Sequence, residues 1–200
     1  WQYTVFGSKG EVPVFFLTTN LEENSEWDRT ITKQLYGGDK WYRLCQEMVL
    51  GIGGVKLLRS LGYGDSQDTT YIRKYHMNEG HSAFLTLELH KEAQRKYLNE
   101  EEPFHMNHVK NNCVFTTHTP VPAGHDNFAI DLIRNAFQDY YDLDFLTPAI
   151  KDGKLNMTYL ALMFSEHING VAKKHRDVSD KMFPGYRIDS IPNGVPSVTW

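Results

Sequence analysis

Cysteine is scarce: the 200 residues hold two, Cys45 and Cys113, far apart in the chain. That count excludes a disulfide-built scaffold, and the apolar runs around each suit a small buried thiol. There is no CxxC or HxxxH pair of the kind that builds a zinc site. Long apolar runs are missing too, and nothing approaches the roughly 18 residues needed to cross a bilayer. Basic surplus is absent: 21 Lys and Arg face 25 Asp and Glu, a net charge of −4. Nucleic-acid binders carry a basic face, so that class is disfavoured. No signal peptide, internal repeat or low-complexity stretch interrupts the sequence. The triplet Asn156-Met157-Thr158 fits the N-glycosylation pattern. Without a secretory leader it reads as a chance match, and a cytoplasmic location is expected.

What remains is an ordinary globular composition, 40% hydrophobic and 13% aromatic. A chain of this length suits one domain and buries roughly 70% of its unfolded surface on folding. It opens on Trp1-Gln2-Tyr3-Thr4-Val5, as if inside a strand, and stops at Thr199-Trp200. Both ends are therefore expected to continue into a longer protein.

Residues 12–19 (VPVFFLTT) are β-branched and aromatic, and read as a buried strand. A polar stretch and a short helix follow. Over residues 40–61 apolar residues recur at helical spacing: Leu44, Met48, Ile52 and Val55. Gly51, Gly53 and Gly54 interrupt that stripe, predicting either close backbone packing or a helix break. Residues 71–77 read as a strand, 80–97 as a helix and 112–117 as a further strand. Pro120 and Pro122 stop any helix from starting directly after it. Helices are predicted over 127–140 and, from a pronounced apolar face, 156–175. Residues 186–191 close the series as a strand. Strands alternating with long helices imply βαβ units. The expected fold class is α/β, a mostly parallel sheet flanked by helices in a partial Rossmann-like lobe.

In open α/β sheets ligands bind beyond the carboxyl ends of the strands. Three predicted strand ends carry polar clusters: Asn78-Glu79-Gly80-His81, the run from His118-Thr119 to His125-Asp126, and Asn193-Gly194. Gly37-Gly38-Asp39 precedes a helix instead. Carboxylates, imidazoles and amides suit a sugar, whose hydroxyls need donors and acceptors in fixed directions. Plainer readings stand beside this one. Glu79 suits the dipole of a first helical turn. His81 suits a satisfied core position, and His118 a loop held by a backbone hydrogen bond. Asp39 suits a helix N-cap. His167 and His175 fall on the long predicted helix and read as structural. Gly51-Ile52-Gly53-Gly54 lies inside a helical pattern, not after a strand, which argues against a dinucleotide loop.

These stretches resemble the α-glucan (glycogen, starch, maltodextrin) phosphorylases, especially their shorter bacterial and archaeal type. The resemblance is carried by Leu35-Tyr36-Gly37-Gly38-Asp39, Arg43-Leu44 with Gln46-Glu47, and Leu50-Gly51-Ile52-Gly53-Gly54-Val55. It continues through His76-Met77-Asn78-Glu79-Gly80-His81-Ser82-Ala83-Phe84 and Val114-Phe115-Thr116-Thr117-His118-Thr119-Pro120-Val121-Pro122-Ala123-Gly124-His125-Asp126. It ends with His167-Ile168-Asn169-Gly170-Val171-Ala172 and Asn193-Gly194-Val195. One departure is Pro196, where the family pattern often has His.

The resemblance implies a two-lobed GT-B glycosyltransferase fold, with residues 1–200 forming the later part of the N-terminal, glucan-side lobe. It implies phosphorolysis of terminal α-1,4-linked glucose to glucose 1-phosphate, with α-glucan or maltodextrin and inorganic phosphate as substrates. Pyridoxal phosphate would be bound by a lysine in the C-terminal lobe, absent from this chain. The resemblance further implies that His118 contacts the glucosyl unit. Glu79 and His81, with Asn78, Thr119, Asn193 and Gly194, would line the glucan cleft, and Asp39 would sit on a gating loop. The fragment alone is expected to be inactive, and a homo-oligomer is compatible with all of this. Two other functions share the fold: a nucleotide-sugar-dependent glucan synthase and a non-catalytic glucan-binding module.

Overall fold

A computed structural model describes residues 1–35, 37–64, 71–119, 121, 124–172, 178, 181–192 and 194. It starts with an antiparallel hairpin of Gln2–Gly7 (β1) and Gly10–Phe15 (β2), in register from Gln2↔Phe15 to Gly7↔Gly10. The strand expected at 12–19 is therefore displaced toward the N-terminus, and it is not buried: Val12 is 59% exposed. A two-stranded ribbon has one layer only, so β-branched and aromatic composition is insufficient to bury it.

Lys40–Met48 (α1) starts at Asp39, whose Oδ1 accepts the Tyr42 N–H at 2.9 Å. The helix continues through one π-helical turn, Val49–Gly53, into Gly54–Ser60 (α2). Of the two outcomes the glycine run allowed, close packing is the one realised. A Cβ on Gly51 would stand 2.7 Å from the Leu85 amide nitrogen and 2.9 Å from Phe84 Cβ. The missing side chain lets this helix lie against the start of Leu85–Lys96 (α3).

Four parallel strands, numbered in chain order, form the central sheet. They are Tyr75–Asn78 (β3), Cys113–Thr117 (β4), His167–Gly170 (β8) and Asp189–Ser190 (β9), adjacent in that sequence. The crossover from β3 to β4 runs through α3 and Glu102–Asn112 (α4), a helix the sequence reading lacked. Its Pro103 sits in the first turn, where the missing N–H costs no hydrogen bond. A small antiparallel sheet of Asn127–Ala129 (β5), Ile150–Lys151 (β6) and Lys154–Asn156 (β7) follows, with Ile130–Phe137 (α5) after β5. The predicted 127–140 helix thus opens as a strand.

The predicted helix over 156–175 is the largest correction. Met157–Met163 (α6) is helical, and the chain then leaves the helix at Phe164. Ser165 Oγ donates to the Ala161 carbonyl at 2.8 Å, and His167 enters β8. Ile168 pairs with Phe115 in the middle of the sheet. Tertiary pairing overrides the helical periodicity here. His167 is therefore a strand residue, while His175 lies outside the described residues.

The inward side chains Met77, Cys113, Phe115 and Ile168 join Leu87, Leu89, Val109, Leu160 and Ala161 in one buried cluster. The opposite face is polar. His76 Nε2 meets Thr116 Oγ1 at 2.7 Å, and Thr116 Oγ1 donates to Asn169 Oδ1 at 3.0 Å, a hydrogen-bonded row across three strands. Parallel sheets are usually apolar on both faces. A strand order that advances in one direction, with right-handed crossovers, stacks the connecting helices on one side only. Among the described residues no helix is long and apolar enough to cross a membrane.

Candidate functional site

The parallel arrangement brings the carboxyl ends of β3 and β4 side by side. Pairing extends one residue past β3, since the Glu79 N–H donates to the Thr116 carbonyl at 2.9 Å. The Glu79 backbone then turns sharply at φ 66°, ψ 173°, a region almost reserved for glycine. The turn aims its carboxylate sideways at the next strand. Glu79 Oε1 accepts the His118 N–H and, at 3.0 Å, the Thr119 hydroxyl. Glu79 is thus neither free in a cleft nor a simple first-turn carboxylate. It laces two strand ends together.

A cavity of about 620 Å3 opens beside this junction. Gly38, Asp39, Lys40 and Arg43 wall it from the start of α1, and Glu79, Gly80 and His81 from the end of β3. Thr119, Gly124, His125 and Asp126 close it from beyond β4, with Thr158 of α6. Its size is within the range of small-molecule sites. The lining offers carboxylates, imidazoles, hydroxyl groups and cations, a set that satisfies sugar hydroxyls in both directions.

Of the residues expected to form a site, Asp39, Glu79, His81 and Thr119 line this one cavity. Asp39 is also the α1 N-cap, as its local sequence suggested. His118 is half-buried immediately after β4, its main chain tied to Glu79. Asn78 is exposed and pairs with Thr116, on the sheet face that carries His76. It stands next to the cavity, not in its lining. Gly194 is exposed, and Asn193 lies outside the described residues.

At the cavity His81 and Asp126, both in the polar strand-end clusters, join Arg43 and Glu47, to which the sequence reading gave no site role. The Arg43 guanidinium Nη2 is 2.9 Å from Asp126 Oδ2, 3.2 Å from Glu47 Oε1 and 3.5 Å from His81 Nδ1. His81 Nδ1 is also 3.4 Å from Asp126 Oδ2. His81 is therefore part of a polar cluster, not an isolated core histidine. The signal in the sequence was the Arg43/Glu47 spacing of four on a helix whose other face is apolar. The Asp126 partner, 83 positions away, has no such signal.

The two carboxyl groups are driven apart in acidity. Hydrogen bonds from His81 and then Arg43 hold Asp126 well below the usual carboxylate range. Glu47 is 1% exposed, and burial, followed by the adjacent Asp126 charge, pushes its carboxyl up to about 9. Near neutral pH the pair thus carries one negative charge, on Asp126. Glu47, His81 and Asp126 offer three ligand atoms within 4.8 Å of one another, the composition of a cation site. The Arg43 guanidinium hydrogen-bonds to Glu47 and Asp126, and so is itself the cation that balances the cluster. Behind Asp126, buried His125 shares a 2.7 Å hydrogen bond with Thr158 Oγ1 and packs edge-on against Phe183.

No family model matches the sequence. Curated proteins do. The chain is 36% identical to the maltodextrin phosphorylase of Thermococcus litoralis over 96% of its own length and 24% of that protein's. It is 33% identical to the glycogen phosphorylase of Mycobacterium tuberculosis, again over 96% of the chain and 24% of the relative. Against the glycogen phosphorylase of Aquifex aeolicus the identity is 31%, over 100% of the chain and 29% of the relative. The chain spans about a quarter of the length of the curated relatives it matches.

Proposed function

Because this chain corresponds over nearly its whole length to a stretch of the α-glucan phosphorylases, we propose that it forms one wall of a glucan-binding cleft in a longer glycosyltransferase. The observation that carries this reading is the cavity shared by Asp39, Glu79, His81 and Thr119. In it, three polar segments far apart in sequence meet at the rim of one parallel sheet. The parent enzyme would cleave terminal α-1,4-linked glucose from α-glucan or maltodextrin with inorganic phosphate, releasing glucose 1-phosphate. It would have the two-lobed GT-B fold, and this chain would be the later part of its N-terminal lobe.

Within that reading, His118 contacts the terminal glucosyl unit with a main chain already fixed by Glu79. His81 and Thr119 offer hydrogen bonds to sugar hydroxyls. Asp39 and the first turn of α1 form the movable side of the entrance. Asn78, beside the cavity, extends the same rim. Pyridoxal phosphate would supply proton transfer through its phosphate group, held by a lysine of the other lobe. These 200 residues would bind and orient the glucan, and taken alone would be inactive.

The test is direct. The full-length protein, with cofactor bound, should release glucose 1-phosphate from maltodextrin only when phosphate is present. No release would overturn the reading. Activity with a sugar nucleotide in place of phosphate would convert it to a glucan synthase.

A further inference from the structure

Arg43, Glu47 and Asp126 have no part in the glucan contacts described above, yet they form one linked polar group beside the cavity. Their side chains are 13%, 2% and 20% exposed. They come from two of the three segments that build the cleft, and His81 brings in the third. Arg43 and Glu47 stand on α1, one and two turns past Asp39. Asp126 lies beyond β4, after Thr119. His81 follows Glu79 in the turn after β3. One guanidinium therefore ties together the same three segments that deliver Asp39, Thr119 and Glu79 to the cavity.

We propose that Arg43, Glu47 and Asp126 are positioning residues that hold the three walls of the cleft in register, and that this clamp is locked only while Glu47 is protonated. The proposal rests on the glucan-binding reading. With Glu47 neutral, one anion, Asp126, faces one cation, Arg43, and the charges balance. Ionised Glu47 would add a second buried anion beside Asp126 and compete with it for the same guanidinium. Buried like charges repel strongly, and the pair relaxes by separating. Separation moves Asp126, and with it the segment after β4, away from α1. The titratable and charged groups facing Glu47 are Arg43 and Lys40 from its own helix, Asp126 from beyond β4 and His81 from the turn after β3. Lys40 is 64% exposed and 3.9 Å from Asp126, too solvated to neutralise a second anion. Burial and Asp126 place the Glu47 transition near pH 9.

The experiment measures KM for maltodextrin and kcat between pH 6 and 10 in the full-length holoenzyme, for wild type, Glu47→Gln, Asp126→Asn and Arg43→Ala. A single ionisation that removes the competent form changes an apparent constant by up to about tenfold per pH unit beyond its midpoint. Wild-type KM should rise on that slope above about pH 9, with kcat changing much less. Glu47→Gln should lack the rise. Asp126→Asn removes the anion that ionised Glu47 repels, so its KM, whatever its starting value, should not rise above about pH 9. Arg43→Ala should raise KM about tenfold or more at every pH. A wild-type KM that stays flat to pH 10 overturns the proposal, as does a Glu47→Gln profile with the wild-type rise. If Glu47→Gln fails to fold, the wild-type and Asp126→Asn profiles decide alone. No phosphorolysis by wild type at any pH overturns the glucan reading and this proposal together.

Discussion

Glu79 accepts a hydrogen bond from the main-chain N–H of His118, joining the ends of two parallel strands that lie 39 positions apart in sequence. The same oxygen takes the Thr119 hydroxyl at 3.0 Å. To reach them the Glu79 backbone occupies a conformation that only glycine adopts without strain. Such strain costs about 1–3 kcal/mol and persists where surrounding interactions fix it. Here the Thr116 carbonyl holds the amide, and the His118 N–H and Thr119 hydroxyl hold the carboxylate.

Substitutions at Glu79 separate the two effects. Glu79→Ala loses the carboxylate and keeps the strain. It should lower unfolding stability by about 2–3 kcal/mol, the value of hydrogen bonds to a charged group together with a newly unpaired amide. Glu79→Gly loses the carboxylate and relieves the strain, so it should be the more stable of the two by about 1 kcal/mol. Denaturant unfolding of both variants measures the difference. An alanine variant more stable than the glycine variant would show that the positive φ is not retained.

The glycines of the α1–α2 helix allow a second paired comparison. A Cβ on Gly51 would collide with the Leu85 amide nitrogen at 2.7 Å, and backbone cannot swing aside. Gly51→Ala should therefore destabilise by roughly 2 kcal/mol or more. On Gly54 the added Cβ meets nothing within 4 Å. Gly54→Ala should stabilise by up to about 1 kcal/mol, the helix-propensity gain. Thermal melts of the two variants should shift in opposite directions, and a shift in the same direction would contradict the packing described for Gly51.

How much of this was legible follows from the range of each interaction. The α/β class, the parallel sheet and the polar ends of β3 and β4 were readable because strand and helix periodicity is local. Asp39 as a cap was local too. The exposed hairpin was misjudged because β-branched and aromatic composition marks a strand without showing what covers it. The end of α6 was missed because Ile168 has an apolar neighbour pattern compatible with helix, and only its pairing with Phe115 decides for strand. Helix α4 escaped because it buries little: only His105 and Val109 among its residues are buried. The Arg43–Asp126 contact joins segments 83 positions apart and leaves no periodic trace.

Thiol chemistry should be silent in the folded protein. Burial pushes Cys113 up to about 12, and burial with the nearby charges of Asp28 and Asp39 pushes Cys45 up to about 11. The thiolate is the reactive species, so almost none is present at pH 8. Both cysteines are free thiols in the structure. A disulfide-exchange reagent such as DTNB should label neither cysteine in native protein and both in denaturant. Rapid native labelling would show that the α1 or β4 surroundings open readily.

Stability should depend on pH through the carboxyl pair Glu47 and Asp126. Glu47 is raised from 4.5 to about 9 in the folded state, so between those values the folded protein retains a proton that the unfolded chain has released. Stability changes with pH in proportion to protons bound unfolded minus protons bound folded. That difference is negative for Glu47, so its contribution falls as pH rises from about 5 to about 9. Asp126 has the opposite sign. Its folded-state acidity is increased, so its contribution is present above the ordinary carboxylate range and is lost only as pH falls through and below it. Wild-type melting temperature should therefore decline from pH 6 to pH 9, and the slope should flatten in Glu47→Gln. Gln is the suitable replacement because it keeps the acceptor for Arg43 without a proton to lose. Melting curves of the two proteins at pH 6, 7.5 and 9 measure the slope. Equal slopes would mean that Glu47 ionises in the folded state as it does in water, and that the buried pair does not share a single charge.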